Sequence, residues 1–517
     1  MKRKALMPLC AVLALLLSGC GPATEQSAAP QVSLTALQYE LENQAINFSD
    51  LWFYQQLEEK TGVHVDFEAV RKADWEARQE LMFASGTYAD LVLRGNLDTE
   101  EYGVNRHLLV PLEDYLAQDM PIYSQRLKGS GVEDVIPSSD GSSYYVGYLL
   151  AQNVSVNGHF FINRAWLDKL DLPVPTTIEE LTEVLRAFRD GDPNGNGLRD
   201  EVPYQATLDD CNTGLYNVFS AWGIPMNEEF VYVDAEGTVR CAPLQPGFRE
   251  AVEWLHMLCE EQLLDVESLT QGSNLWSAKV NRDTAGYFSY WRLSNTALTR
   301  DITDQFELML PVHAEGNATQ MTRIKDTVEF GAALTVQNKD IHASLRWLDA
   351  QMETETMLVS QNGPVGDTLT LREDGRYEVV RVPESNELYQ IVPVICAQFF
   401  APKDYYASVY VPAPHRVEKS GYCALYEQAG VLEPVSEKLL TVESAKTSAE
   451  SARIAQLKKR IKAVVDSFIV EAVAGGVTDE MFAEFHQDLM DAGAEEYCAL
   501  YQRAYDRHML RIGGAEE

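Results

Sequence analysis

Residues 63–93 read VHVDFEAVRKADWEARQELMFASGTYADLVL, and this run decides the fold class. Val63, Val65 and Phe67 alternate with polar neighbours, the period of a strand. Ala73 to Ser85 suits a helix, with Trp75, Leu81 and Met82 available for one apolar face. Gly86-Thr87-Tyr88-Ala89-Asp90 turns the chain into Leu91-Val92-Leu93, a short buried strand. Upstream, Val32 to Tyr39 has a strand-like mix. Phe48 to Glu59 reads as a helix that stops at Thr61-Gly62. The order β-α-β-α-β predicts a parallel sheet covered by helices, an α/β architecture.

A second unit starts near Phe160. Phe160-Phe161-Ile162 reads as a strand and Arg164 to Leu170 as a short helix. Thr177 and Glu180 have the spacing of a capping box. Ile178, Leu181, Val184, Leu185 and Phe188 then form a helical stripe. Residues 249–264 and 341–357 are amphipathic helices. Residues 453–509 read as a closing helical pair broken at Gly475-Gly476. The 517 residues suggest two or three domains at ~150 residues each.

The stretch Asp192-Pro-Asn-Gly-Asn-Gly-Leu-Arg-Asp-Glu201 follows the capped helix directly. Oxygen side chains fall at Asp192, Asn194, Asn196, Asp200 and Glu201. Gly197 takes the sixth place, where a calcium loop of the EF-hand type turns sharply, and the Leu198 carbonyl takes the inward-pointing seventh. The twelfth place is Pro203, not a bidentate Glu, so Asp200 and Glu201 would close the shell. Asp, Asn, Pro and Gly are also turn residues, but the i, i+2, i+4 spacing of oxygens points to a structural Ca²⁺ clip rather than a switch.

The N-terminus reads as an export signal. Lys2, Arg3 and Lys4 precede the apolar run Ala5 to Leu17, which fits the ~7–15 residues of a signal core and falls short of the ~18 that span a bilayer. Leu17-Ser18-Gly19-Cys20 resembles the bacterial lipobox, in which the cysteine is lipidated and becomes the first mature residue. Residues 21–32 are small, polar and Pro-containing, as in a flexible tether. The expectation is a lipid-anchored body on the extracellular face of the cytoplasmic membrane. It would touch the membrane only through that lipid.

Hydrophobic residues make up 46% of the chain, as in a globular protein, and the formal charge is −36. That balance argues against nucleic acid, which needs a basic face. Six cysteines remain besides Cys10 and Cys20: Cys211, Cys241, Cys259, Cys396, Cys423 and Cys498. None forms a CxxC pair, which disfavours zinc. Export permits disulfides, but a body this large does not need them, so mostly free, buried thiols are expected.

The run Trp166-Leu167-Asp168-Lys169-Leu170, Pro175 to Leu181, Ala187-Phe188 and Asp192 to Pro203 resembles the extracellular solute-binding proteins of bacterial ABC importers. It is most similar to the large carbohydrate-binding lipoproteins with an embedded calcium loop, the alginate-oligosaccharide-binding branch. Thr61-Gly62, Gly86 to Leu91, Trp222-Gly223-Ile224, Ala285-Gly286-Tyr287 and Tyr501 to Tyr505 agree in order. Phe482 or Phe485 stands where the branch usually has Trp, and Pro402 to Glu450 matches weakly. The resemblance implies two α/β lobes around a ligand cleft: lobe one at 33–150 plus 325–390, lobe two at 151–324 plus 391–510. It implies a monomer that closes on an oligosaccharide and delivers it to membrane permease subunits.

Sugars offer a C–H face and a rim of hydroxyls, which suit an aromatic plate and planar polar groups. Such groups are expected on loops after strands. Trp291 and Tyr290, after Tyr287-Phe288, are the first stacking candidates, and Trp222 is the next, although such rings are more often packing. Arg94 and Asn96 follow Leu91-Val92-Leu93. Asp209 is a candidate hydroxyl acceptor. Two other functions stay open: a surface polysaccharide lyase or hydrolase, and a peptide-binding lipoprotein. No HExxH, GxSxG or Walker loop is present, and among 78 acidic residues no carboxylate pair carries weight.

Overall fold

Strand β1 (Val32–Glu40) lies between two parallel neighbours, β2 (Val63–Arg71) and β3 (Leu91–Leu93). The computed structural model describes residues 32–513 except 41–46, 72–73, 96, 129, 131–132, 134–135, 139, 151–155, 157, 294–297, 324–326, 383–386, 388–389, 394–402, 413 and 433–445. The parallel start is as the sequence predicts, but the sheet is mixed. The Thr327–Leu334 strand pairs antiparallel with β3 on one side and with β4 (Val146–Leu150) on the other. Both faces are covered. Leu34 and Ala36 enter one core with Leu91, Leu93 and Leu334, while Leu37, Val92 and Ala333 enter the other. Successive strand residues therefore feed opposite cores, so these strands read as near-continuous apolar runs.

The helices differ from the sequence reading in detail. The first is a 3-10 turn, Phe48–Asp50, followed by Trp52–Thr61, and Gly62 ends it in the left-handed conformation. Trp75–Ser85 buries Trp75 and Met82, but Leu81 is 63% exposed. Leu81 shares its sequence neighbourhood with the apolar face, not its direction. The 341–357 segment is two helices, Ile341–Ala350 and Thr354–Asn362.

A second sheet carries β5 (His159–Asn163) at its centre. The hairpin β6 (Val231–Val233) and β7 (Val239–Cys241) stands apart from it. Strands β8 (Tyr287–Tyr290) and β9 (Phe306–Met309) flank β5 antiparallel. Phe160 and Ile162 face the largest core and Phe161 the smaller one behind. The Ile178–Asp190 helix buries its whole predicted stripe there. Its Phe188 ring occupies the space a side chain at Gly286 would need, 2.3 Å from the Cβ position. The capping box is only half made: the Thr177 hydroxyl accepts from Glu180 N–H, while the Glu180 carboxylate caps Thr176 N–H at 2.8 Å.

The closing pair is three helices, Ser448–Gly475, Asp479–Ala492 and Ala494–Gly513, because Gly493 adds a second break. Leu457, Ile461, Val465 and Ile469 are fully buried, at the four-residue spacing of a helix face. Phe468, Phe485 and Phe248 stack upon one another, at 4.0 Å for Phe468–Phe485 and 5.5 Å for Phe248–Phe485, so Phe485 is packing. Tyr410 packs in the first body's core, and Tyr410-Val411 pairs with Tyr377–Val379. Cys241 and Cys498 bring their thiols into a mutual hydrogen bond, with all five described cysteines as thiols. Among the described residues, no helix is long and apolar enough to cross a membrane. Cys20, Asn96 and Cys396 lie outside the described residues.

Candidate ligand cavity and cation loop

A cavity of about 270 Å³ opens beside the start of β5. Gly158 forms part of its floor because a Cβ there would strike Asn217 at 2.4 Å. Two surfaces meet in it. Met226 and Met321 supply apolar wall, and Asp209, Glu228, Glu229, Asn217 and Asn227 supply acceptors and amides.

The acceptors are held from the C-terminal helices. The Lys462 ammonium binds both Asp209 and Asp466, the latter at 2.7 Å. The Tyr216 hydroxyl, which lines the cavity, donates to Asp466 at 2.6 Å. Glu229 accepts from Lys458 at 2.5 Å and from the Tyr501 hydroxyl at 2.8 Å. Burial alone would raise the Glu229 carboxyl, but the Lys458 and Tyr501 bonds outweigh it and hold the group below its ordinary range. Fixed carboxylates beside amides and methionines make a site for a polyol with an apolar face.

Of the ligand candidates among the described residues, only Asp209 lines this cavity. Trp222 is 6% exposed and packs on Trp254 with ring centroids 5.8 Å apart. It belongs to the core, where an amphipathic helix and a Gly-terminated 3-10 turn press together. Tyr290 is buried against Trp276 at 4.8 Å. Trp291 is half-buried, and its ring carries the Arg292 guanidinium at 4.6 Å and the Lys419 ammonium at 4.8 Å. It serves cations rather than a bare stacking face. Arg94 follows β3 in a left-handed conformation, φ 58, on the other body. Its neighbour Gly95 lies so close to Trp75 that a Cβ would sit 2.5 Å from the ring. Sequence reading missed Glu229, Tyr216, Lys458, Lys462 and Asp466. The last three sit on a helix more than 200 residues downstream of Glu229, and only tertiary contact joins them.

The Asp192 loop adopts a nest-like turn. Asp192 has φ 46, and Gly195 and Gly197 both have φ 76. The Asp192 carboxylate accepts from Gly195 and Gly197 N–H, and Asn196 Oδ1 accepts from Leu198 N–H at 2.6 Å. The Leu198 side chain is 61% exposed. Asn194 and Asn196 turn amide nitrogens to Asp200 at 3.3 and 3.0 Å. Glu201 is 6% exposed and both its oxygens lack hydrogen-bond partners among the described residues. Burial raises its carboxyl above the ordinary range, with the charges of Asp200 and Asp192 adding to it against the opposing backbone N–H groups of Glu201 and Asn194. Buried acceptors without donors are costly, and a hard cation is what satisfies several oxygens at once. The donor set therefore fits Ca²⁺, with the two amides rotated to present oxygen. Among the described residues, no three His, Cys, Asp or Glu side chains already converge in coordinating array; this loop relies on asparagine oxygens and backbone as much as on carboxylates.

Residues 32–213 match the family model described as bacterial extracellular solute-binding protein. The chain is 24% identical over 478 residues to a fructooligosaccharide ABC transporter substrate-binding protein, FusA, of Streptococcus pneumoniae serotype 4, covering 88% of this chain and 86% of the relative. The solved structure of FusA in complex with kestose superposes with a TM-score of 0.78 at 21% identity, over 93% of this chain and 100% of that one. FusA has also been solved as an EF-hand mutant. The alginate-binding protein AlgQ2 without calcium ion gives a TM-score of 0.68 at 21% identity, over 93% and 99%. The family match is thus to residues 32–213, and the fold over most of the chain is that of solved solute-binding proteins.

Proposed function

We propose that this chain is the capturing subunit of an ABC importer for oligosaccharides, a binding protein without catalytic turnover. The observation that carries the reading is the cavity beside Gly158, where carboxylates fixed by Lys458 and Lys462 face methionine walls. The likeness to FusA supports it. The two sheets with the helices packed on them act as lobes, residues 33–150 plus 325–390 forming one, and they close on ligand by a hinge. Cys20 anchors a monomer by lipid to the outer face of the cytoplasmic membrane, where it meets its permease.

Asp192, Asn194, Asn196, Asp200, Glu201 and the Leu198 carbonyl hold one structural Ca²⁺. Its role is to neutralise the buried Glu201 and fix the exit of the Ile178–Asp190 helix, away from the sugar. The loop's oxygen spacing and the orphaned Glu201 oxygens support this.

A thermal-shift screen of the purified body against oligosaccharides tests the function, because a ligand of the native state raises the melting point by mass action. Chromatography of the bound glycan then separates capture from hydrolysis. Recovery of an intact glycan supports the reading. Cleaved product, or no shift with any glycan, refutes it. Cys20→Ala should move the protein from the membrane fraction to the medium; an unlipidated wild type refutes the anchor.

A further inference from the structure

The hairpin of β6 and β7 lies on the Ala494–Gly513 helix in a regular register. Gly237 meets the Tyr505 ring, 3.4 Å from where its Cβ would stand. Val239 N–H donates to Gln502 Oε1 at 2.8 Å, and Gln502 Nε2 donates to the Gly237 carbonyl at 3.1 Å. A step of two along the strand is thus answered by a step of three back along the helix. Alternate strand residues share a face, and the burial agrees: Val239 and Cys241 are buried while Arg240 is exposed. Two strand residues rise about 6.7 Å and four helical residues about 6 Å, so the next pair in the series is Cys241 with Cys498. There the two thiols share a hydrogen bond.

The two thiols differ in access and in acidity. Cys241 is 5% exposed, whereas Cys498 is half-buried. The shared hydrogen bond holds the Cys498 thiol below its ordinary range, and the same bond, with burial, pushes the Cys241 thiol up. Cys498 is the sulfur that ionises and that solvent reaches, with Cys241 behind it. An accessible thiolate backed by a second thiol is the arrangement of an attacking and a resolving cysteine. Both stand on the supports of the cavity. Cys498 lies between Tyr497 and Tyr501, whose hydroxyls donate to the cavity carboxylate Glu229 at 3.3 and 2.8 Å. Cys241 pairs with Val231 across the hairpin, and Ala242 N–H donates to the carbonyl of Phe230, the residue after Glu229, at 2.8 Å.

We propose that Cys241 and Cys498 are a redox site that closes to a disulfide and so clamps the hairpin behind Glu229 onto the helix that carries Tyr497 and Tyr501. The oxidant is a small-molecule or protein disulfide, RSSR. The Cys498 thiolate attacks one of its sulfurs, the RS–SR bond breaks, and one RS⁻ leaves and takes up a proton. Cys241 then loses its proton to the solvent and attacks Cys498 Sγ, and the second RS⁻ leaves and is protonated. Two protein thiols are oxidised and one RSSR is reduced to two RSH, a transfer of two electrons. The bond closes a loop from β7 to the last helix, about half the chain, and in the chain-entropy account long loops gain the most. An outer-face location supplies such oxidants and lets the bond persist. That location rests on the proposed function; the pairing and its chemistry do not.

Peptide mapping of the full chain in two redox states tests the site. The protein is treated with dithiothreitol or with oxidised glutathione, alkylated and digested. Oxidation should give a peptide pair linked through Cys241 and Cys498, and reduction should return both as alkylated thiols. The oxidised form should melt about 5–10 °C above the reduced form. Its hydrogen exchange should slow in peptides covering 229–242 and 494–505, and stay unchanged over 63–71 in the first sheet. Cys498→Ser should abolish the link and the shift. Cys241→Ser should stop at a mixed disulfide of Cys498 with glutathione. The comparison of the two redox states of the wild type needs neither variant. The site is overturned if both thiols are still alkylated after oxidised glutathione, if glutathione stays on Cys498 in the wild type, or if the link forms with no change in melting point or exchange. The map does not depend on glycan capture, so failure of the oligosaccharide reading shows in the glycan screen and failure of the redox site shows here.

Discussion

Glu201→Gln should change the sign of its effect with the metal. Both Glu201 oxygens are buried without a hydrogen-bond partner among the described residues, and the charges of Asp192 and Asp200 stand nearby. Without a cation, each unmet acceptor costs roughly 1–3 kcal/mol, and two like charges add to it. The neutral amide of the variant keeps the shape and removes the charge. In chelator the variant should therefore be more stable than wild type, by about 1–3 kcal/mol. With Ca²⁺ in excess the order reverses. Wild type then gains the binding energy, about 2.7 kcal/mol at a hundred times the dissociation constant, and the variant forfeits much of it. At about 2–4 °C per kcal/mol for a domain of this size, each arm amounts to several degrees. Differential scanning calorimetry at neutral pH, in EDTA and in millimolar calcium, reads all four values. If EDTA leaves the wild-type melting point unmoved, or if Glu201→Gln shifts in the same direction in both conditions, the loop is a turn and the cation reading is wrong.

Other expectations follow from the geometry. Burial pushes the Glu450 carboxyl up, but Thr447 N–H and Arg507 outweigh it and hold it down at about 2. Its folded value is below its unfolded one, so its stabilisation is present above the ordinary value of 4.5 and is lost as pH falls from there towards about 2. Glu450→Gln should cost about 1–2 kcal/mol at neutral pH, the scale of a lost cap, and the gap should close in melts at acid pH. Trp222→Ala should destabilise by about 3–5 kcal/mol, as for a buried aromatic, with glycan affinity unchanged at temperatures where it stays folded; a selective loss of affinity would return Trp222 to the ligand site. Asp209→Asn should weaken glycan binding about tenfold, one charged hydrogen bond, in titrations where the melting point is held near wild type.

The sequence by itself determined what depends on neighbours in the chain. The strands Val63 to Phe67 and Leu91 to Leu93, the Ile178–Asp190 stripe, and the oxygen spacing of Asp192 to Glu201 are local periodicities and turn chemistries. Each is found where it was read. What the sequence could not show is which of several exposed-looking polar groups and aromatics meet. Trp222 and Tyr290 have the same composition signal as a sugar platform, and only packing against Trp254 and Trp276 makes them core. Lys419 reads as one more surface lysine until the helix that carries it is laid against Trp291. Glu229 gains its lysine and tyrosine from helices more than 200 residues away. The reason is physical: a strand or helix is written by spacings of two to four residues, whereas a binding site is written by contacts whose partners the chain order does not bring together.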